Sequence, residues 1–215
     1  MKRILVINPN SNQAVTDGLA AALAPLAIPG RVTIECATLT EGPFGIETQL
    51  HADSVLLPLR EMILRRDDAD AYVIACYSDP GLALCRDATP KPVYGIQESG
   101  LFAALQRGDR VGVIALGPKS IARHLPYIRA LGLEGRLAGE RALHLTVAES
   151  EDDAAFPRVL EVARDLIEID MADTLLLGCA GMAGHKLKLS QSTGIAVTEP
   201  TQAAVVQALG SVLLS

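Results

Sequence analysis

The sequence has no tryptophan, and aromatic residues make up only 3% of it. Few rings are therefore on offer for stacking against unpaired bases. A basic stripe is missing too: 25 acidic residues outnumber 19 basic ones, for a net charge of -6 and a pI near 5.2. That balance repels a phosphate backbone, so nucleic acid is not an expected partner. Long apolar runs are absent as well. The opening MKRILVINPNSN has a basic start, but its apolar stretch, residues 4–7, is too short for a signal-peptide core. No other run approaches the ~20 residues of a membrane span. A cytoplasmic protein without a membrane partner is expected. Cysteine is sparse: Cys36, Cys76, Cys85 and Cys179 show no CxxC spacing, which argues against a disulfide framework and structural zinc. The four histidines, His51, His124, His144 and His185, form no HxxxH pair, so no metal is expected.

Short runs rich in Val and Ile are plentiful, at 4–7, 32–37, 71–75, 93–96, 111–116, 143–147, 174–177 and 195–197. Helix-compatible segments separate them, at 16–26, 50–65, 101–106, 120–131 and 157–169, and the alanine-rich stretch 201–214 closes the chain. Continuous apolar strands alternating with helices predict an α/β fold built on parallel sheets covered on both faces. The chain also repeats itself. Asn8-Pro9 is matched by Gly117-Pro118, AYVIAC ending at Cys76 by TLLLGC ending at Cys179, and PVYGIQES by AVTEPTQA, at offsets of 109, 103 and 104 residues. Three similar offsets in order predict two similar lobes related by a pseudo-twofold axis, with a cleft between them. The expected division is residues 1–98 plus 201–215 for the first lobe and 99–200 for the second.

Ligands of open parallel sheets sit beyond the carboxyl ends of the strands. Cys76 and Cys179 both fall there, each opening a turn: Tyr77-Ser78-Asp79-Pro80-Gly81 after the first, Ala180-Gly181-Met182 after the second. Backbone N–H groups in such turns favour a thiolate, so a thiol pKa lowered from about 8.5 toward neutrality is expected. A free cysteine is also a common buried apolar residue, and that reading suits Cys36 and Cys85. Two thiols at equivalent points of a duplicated unit suit one reaction in particular. One thiolate takes a proton from a carbon beside a carbonyl while the opposite thiol delivers a proton to the other face, inverting the centre. N–H groups and hydroxyls would hold the enolate-like charge.

INPNSN at 7–12, ACYSDPGL at 75–82, PVYGIQE at 92–98 and GCAGMA at 178–183 together resemble the aspartate/glutamate racemase superfamily, and within it the hydantoin and allantoin racemase branch. The resemblance runs from residue 4 to about 206. It implies two α/β lobes, one catalytic cysteine from each, no metal or organic cofactor, and a small-molecule substrate. It also implies substrate contact by Asn10, Ser11, Ser78, Asp79, Gly181 and Met182, with Ser120 at a position where relatives carry a hydroxyl. Residues 42–47 look like a loop over the pocket, although such a Gly/Pro/Glu cluster also makes a plain surface turn. Asn10-Ser11-Asn12 and Asp79 have a second reading as helix caps or turn formers. Two departures bear on the substrate. Ser78 stands where hydantoin racemases usually have glycine, and Glu199-Pro200 replaces their Asp-Gly pair, placing another carboxylate near the cleft.

The expected enzyme is thus an isomerase, a racemase of a hydantoin-like cyclic amide. An aspartate or glutamate racemase would need more cations than Arg86, Lys119 and Arg123, the ones near the motifs. A maleate isomerase or arylmalonate decarboxylase would use one cysteine, and a non-catalytic binding module on the same fold would need neither. A homo-oligomer is a reasonable expectation for such an enzyme.

Overall fold

In the computed structural model, which describes residues 1–214, β1 (Lys2–Asn8) runs through the middle of a sheet with Ile4, Leu5, Val6 and Ile7 fully buried. Its alternating side chains feed two separate apolar clusters: Ile4 and Val6 on one face, Leu5 and Ile7 on the other. That double burial is why the run is apolar without a break. β2 (Val32–Thr38), β3 (Ala71–Ile74) and β4 (Val93–Gly95) join it, all parallel, in the order β2-β1-β3-β4. A second parallel sheet, built from β5 (Val111–Ala115), β6 (Leu137–Ala142), β7 (Thr174–Leu177) and β8 (Ala196–Thr198), has the order β6-β5-β7-β8. The two sheets repeat one topology, as the duplicated motifs imply.

The helices are α1 (Gln13–Leu23), α2 (Gln49–Ser54), α3 (Leu56–Arg65), α4 (Leu82–Ala88), α5 (Ile96–Leu105), α6 (Pro118–Ala130), α7 (Val147–Glu151), α8 (Phe156–Glu168), α9 (Lys186–Thr193) and α10 (Pro200–Leu214). α8 shows how the pattern writes a helix: Phe156, Val159, Val162, Ala163 and Leu166 recur every three or four residues and are all buried. α5 packs on β4 of the first sheet and on β7 and β8 of the second, while α10 covers β1, β3 and β4 and lies along α5. One apolar cluster therefore runs from Ile4 on β1 to Val113 on β5 and Leu176 on β7, fixing the two sheets against each other. Burial of each such side chain contributes about 1.5–3 kcal/mol. Among the described residues, no helix is long and apolar enough to cross a membrane. Ser215, assigned to the first lobe above, lies outside them.

Three expectations are corrected. The strand expected at 143–147 lies earlier, at Leu137–Ala142. This edge strand is half-buried throughout and carries Glu140 and Arg141, so no apolar run announces it, and Val147 opens α7 behind a capping box of Thr146 and Glu149. The helix expected at 50–65 is two helices divided at Val55, because Pro58 in the first turn of α3 has no N–H to continue the ladder from α2. Ladder register pairs Ile7 with Ile74 and Ile114 with Leu177, so Asn8 corresponds to Ala115, not to Gly117.

Candidate active site

In each sheet the chain order reverses between the two central strands, β1 and β3 in one and β5 and β7 in the other. Crevices open at such switch points. The two crevices face each other and form one cavity lined from both sheets, with about 400 Å³ of space that includes its opening to solvent. Cys76 and Cys179 reach it by the same construction. Two residues after the pairing of Ile7 with Ile74 comes Cys76, and two after the pairing of Ile114 with Leu177 comes Cys179. One backbone bond fixes each approach: Ala75 N–H donates to Ile7 O and Gly178 N–H to Ile114 O, both at 2.8 Å.

The surroundings of the two thiols differ. Cys76 is half-buried, with its Sγ 3.4 Å from Ser78 Oγ. Burial pushes this thiol above its ordinary range, while the hydroxyl and N–H of Ser78 and the Arg123 guanidinium oppose the shift. Cys179 is only 9% exposed. Burial pushes it up to about 12, the Cys76 and Glu151 charges add to the rise, and the Gly181 N–H and Ser150 hydroxyl oppose it. The lowered thiol pKa expected from the turns is therefore corrected. The turn amides do donate, but removing a thiolate from water costs more than they return.

The cavity brings together Asn10, Cys76, Ser78, Ser120, Cys179 and Gly181 of the sequence-derived set. Asn10 is braced by its neighbours, its Oδ1 accepting from Asn8 Nδ2 and Asn12 N–H at 3.0 Å each. Asn12, not Asn10, caps α1, accepting from Ala14 N–H at 3.0 Å. Ser11, Asp79 and Met182 do not line the cavity. Ser11 N–H donates to Pro43 O at 2.9 Å, tying the loop after β1 to residues 42–47. Met182 is fully buried in the apolar cluster between the sheets. Asp79 turns away to cap α5, accepting from Gln97 and Glu98 N–H at 2.9 Å each. Its φ is 42°, and a Cβ on Gly95 would lie 2.2 Å from its carboxyl, so glycine at 95 is what admits the cap. Glu199 is likewise not a cleft carboxylate, since it caps α10 by accepting from Thr201 N–H at 2.9 Å and Gln202 N–H at 2.6 Å.

Residues 42–47 lie against the cavity and the loop after β1. Ile46 lines it, and Glu47 reaches the second lobe, its Oε1 accepting from Val147 N–H at 3.1 Å. A Cβ on Gly42 would fall 2.3 Å from Pro9 O, so only glycine lets this loop lie against the loop after β1. Tyr77, His124 and Val147, unassigned from the sequence, also line the cavity, as does Arg123, one of the three cations near the motifs. Ser120, Arg123 and His124 stand at i, i+3 and i+4 of α6, one helical face, and that spacing was the available signal. Arg123 Nη1 donates to Glu47 O at 2.9 Å and Nη2 to Ser120 Oγ at 3.3 Å, so its charge stands at the wall while it clamps the 42–47 loop.

Comparison with known proteins follows the same lines. A hydantoin racemase from Paenarthrobacter aurescens is 33% identical over 208 residues, covering 94% of this chain and 87% of that one. The allantoin racemase structure from Klebsiella pneumoniae superposes with a TM-score of 0.93 at 29% identity, covering all of this chain and 89% of that one. A maleate isomerase from Pseudomonas putida S16, 18% identical with a TM-score of 0.75 over 98% of this chain and 92% of that one, shares the fold. The profile of the Asp/Glu/Hydantoin racemase family matches residues 4–208, and with paired switch points meeting at one cavity the chain belongs to that family, among the isomerases that act as racemases.

Proposed function

We propose that this racemase inverts the carbon beside a carbonyl of a hydantoin-like cyclic amide, with Cys76 and Cys179 alternating as base and acid and no cofactor. One observation carries the reading: two cysteines at equivalent ends of β3 and β7 line one cavity, and the charge of the first raises the pKa of the second. Two thiols that sense each other across a cavity suit a state in which one is ionised and one is not, which proton relay through a carbon needs. The raised pKa serves the chemistry, because a desolvated thiolate is a stronger base toward a weak carbon acid.

The substrate class rests on the cavity's charge and on the relatives. Of Arg86, Lys119 and Arg123, only Arg123 lines the cavity, and its guanidinium is engaged with the carbonyls of Glu47 and Lys119. Two carboxylates of aspartate or glutamate would find one occupied cation. A neutral five-membered ring asks for hydrogen bonds, which Asn10, Ser78 and Ser120 supply. The test is a polarimetric screen of single enantiomers of 5-substituted hydantoins, allantoin, aspartate and glutamate. Loss of rotation is expected with a cyclic amide and not with the amino acids. Racemisation of aspartate or glutamate alone would refute the substrate class, and racemisation that survives both Cys76→Ser and Cys179→Ser would refute the thiol pair.

A further inference from the structure

One buried acid–base pair in the cavity wall has no part in the proton relay. His124, on α6, is 2% exposed and lines the cavity. Its Nδ1 is bonded to Oε1 of Glu140, which comes from the half-buried edge strand β6 with a side chain only 3% exposed. The ring is further held edge-on to Tyr77, with centroids 4.8 Å apart and planes at 80°. From α5, Gln97 Nε2 donates to the His124 carbonyl at 3.2 Å. The nearest other charge on its own helix, Arg123, is turned to the 42–47 loop. Glu140 and Tyr77 thus hold the imidazole, and Gln97 holds the backbone that carries it.

Chemistry then assigns the two ring nitrogens. The nitrogen facing Glu140 carries the proton of that bond, and in the neutral form of the ring Nε2 has a lone pair to offer. Nε2 makes no hydrogen bond with the described residues. A fixed acceptor in a cavity wall favours a ligand that brings a donor. We propose that His124, in its neutral form and oriented by Glu140, reads the amide edge of the substrate, its Nε2 accepting from a ring N–H and so setting the ring plane between the thiols. This assignment rests on the cyclic-amide reading above. It makes His124 a substrate-binding group and Glu140 a positioning residue.

The experiment compares 5-benzylhydantoin with its 1-methyl and 3-methyl derivatives, in wild type and in His124→Leu, by kcat/KM for racemisation. One N-methyl derivative is expected to fall about tenfold or more below the parent with wild type, the size of one hydrogen bond to a matched group. With His124→Leu that ratio is expected to shrink to about one while the parent slows, since the variant no longer distinguishes N–H from N–CH3. An active wild type whose ratio is the same in the variant overturns the assignment alone. A wild type inert toward all three hydantoins and toward allantoin overturns the cyclic-amide reading and the assignment with it, and if allantoin alone turns over, the ¹⁵N measurement below is made with allantoin and decides the assignment. Should the variant not fold, wild type labelled with ¹⁵N-histidine decides the matter. Saturating unsubstituted hydantoin should move the His124 Nε2 resonance and leave Nδ1 bonded to Glu140, and an unmoved Nε2 resonance overturns the assignment.

Discussion

The two lobes solve the same capping problem in different ways, and the difference reaches the thiols. Each lobe ends its sheet with a short strand followed by a helix, α5 after β4 and α10 after β8, and each helix is capped by a buried carboxylate. In the second lobe the cap is local, Glu199 standing directly before α10. In the first lobe it is Asp79, three residues beyond Cys76 and 18 before the N–H it accepts from. The turn that carries Cys76 is thereby moored to α5, whereas the turn after Cys179 is held to α7, through His185 and the Ser150 carbonyl at 3.0 Å. Charge follows the same asymmetry. Arg123 and Asp79 act on Cys76 with opposite signs, whereas Cys76 and Glu151 both raise Cys179, so only the first thiol has a cation to offset the anions around it. Duplication preserved the position of the sulfur atoms and left their environments free to diverge.

Breaking either half of the pair should have the largest effect. Cys76→Ser and Cys179→Ser are each expected to slow racemisation by about 10²- to 10⁴-fold, the usual worth of a positioned acid or base. The two variants should differ in kind: each should still exchange the α-proton of one enantiomer, and opposite ones. Exchange of the same enantiomer by both variants would break the facing arrangement.

The mooring of the first turn is tested through pH. Burial raises the Asp79 pKa from 3.8 to about 7 against the opposing bonds from Glu98 and Gln97. Between those values the unfolded chain has lost this proton and the folded chain still holds it, so stability falls as pH rises from about 4 to 7 and is level above. The full span is worth up to about 4 kcal/mol at about 1.4 kcal/mol per pKa unit. Urea melts of wild type and Asp79→Asn across that range should show the slope in the first and not in the second. Equal slopes would mean that Asp79 is not its source.

Arg123→Ala should lower kcat/KM by about tenfold to a hundredfold, because charge-assisted bonds holding residues 46 and 47 against the cavity are lost. Arg123→Lys, which cannot span the same carbonyls as a fork, should recover only part of it. The smallest effect is a difference in alkylation rate. With iodoacetamide at neutral pH the unliganded protein should react at Cys76, which is more exposed and has a cation in its surroundings, before Cys179. Peptide mass spectrometry reads the order, and a faster Cys179 would reverse the comparison.

How much of this the sequence discloses depends on how far apart the deciding partners lie. The central strands are legible because both faces are buried, which forces unbroken runs such as ILVI and TLLL. The edge strand LAGERA is not, since it carries Glu140 and Arg141 on opposite faces, each matched by a partner distant in sequence, His124 and Asp170. Both cysteines were legible as strand-end residues of a repeated unit. Asp79 and Met182 look like site residues by nearness to them, but what turns them away is a helix end 18 residues on and an apolar cluster between the sheets. The His124–Glu140 pair was illegible for the converse reason. The spacing on α6 places His124 on one face with Ser120 and Arg123 but says nothing of its partner, which sits on a strand that hydropathy does not announce.

The relay between two sulfurs is tested most directly by where deuterium goes at early conversion. One pure enantiomer of 5-benzylhydantoin is incubated with wild type in deuterated water and stopped while most of it remains. With separate bases on opposite faces, the inverted product should carry deuterium at its stereocentre and the recovered starting enantiomer should stay protiated. Deuterium appearing equally in both would mean that a single group serves both faces, and the paired-thiol account would not survive it.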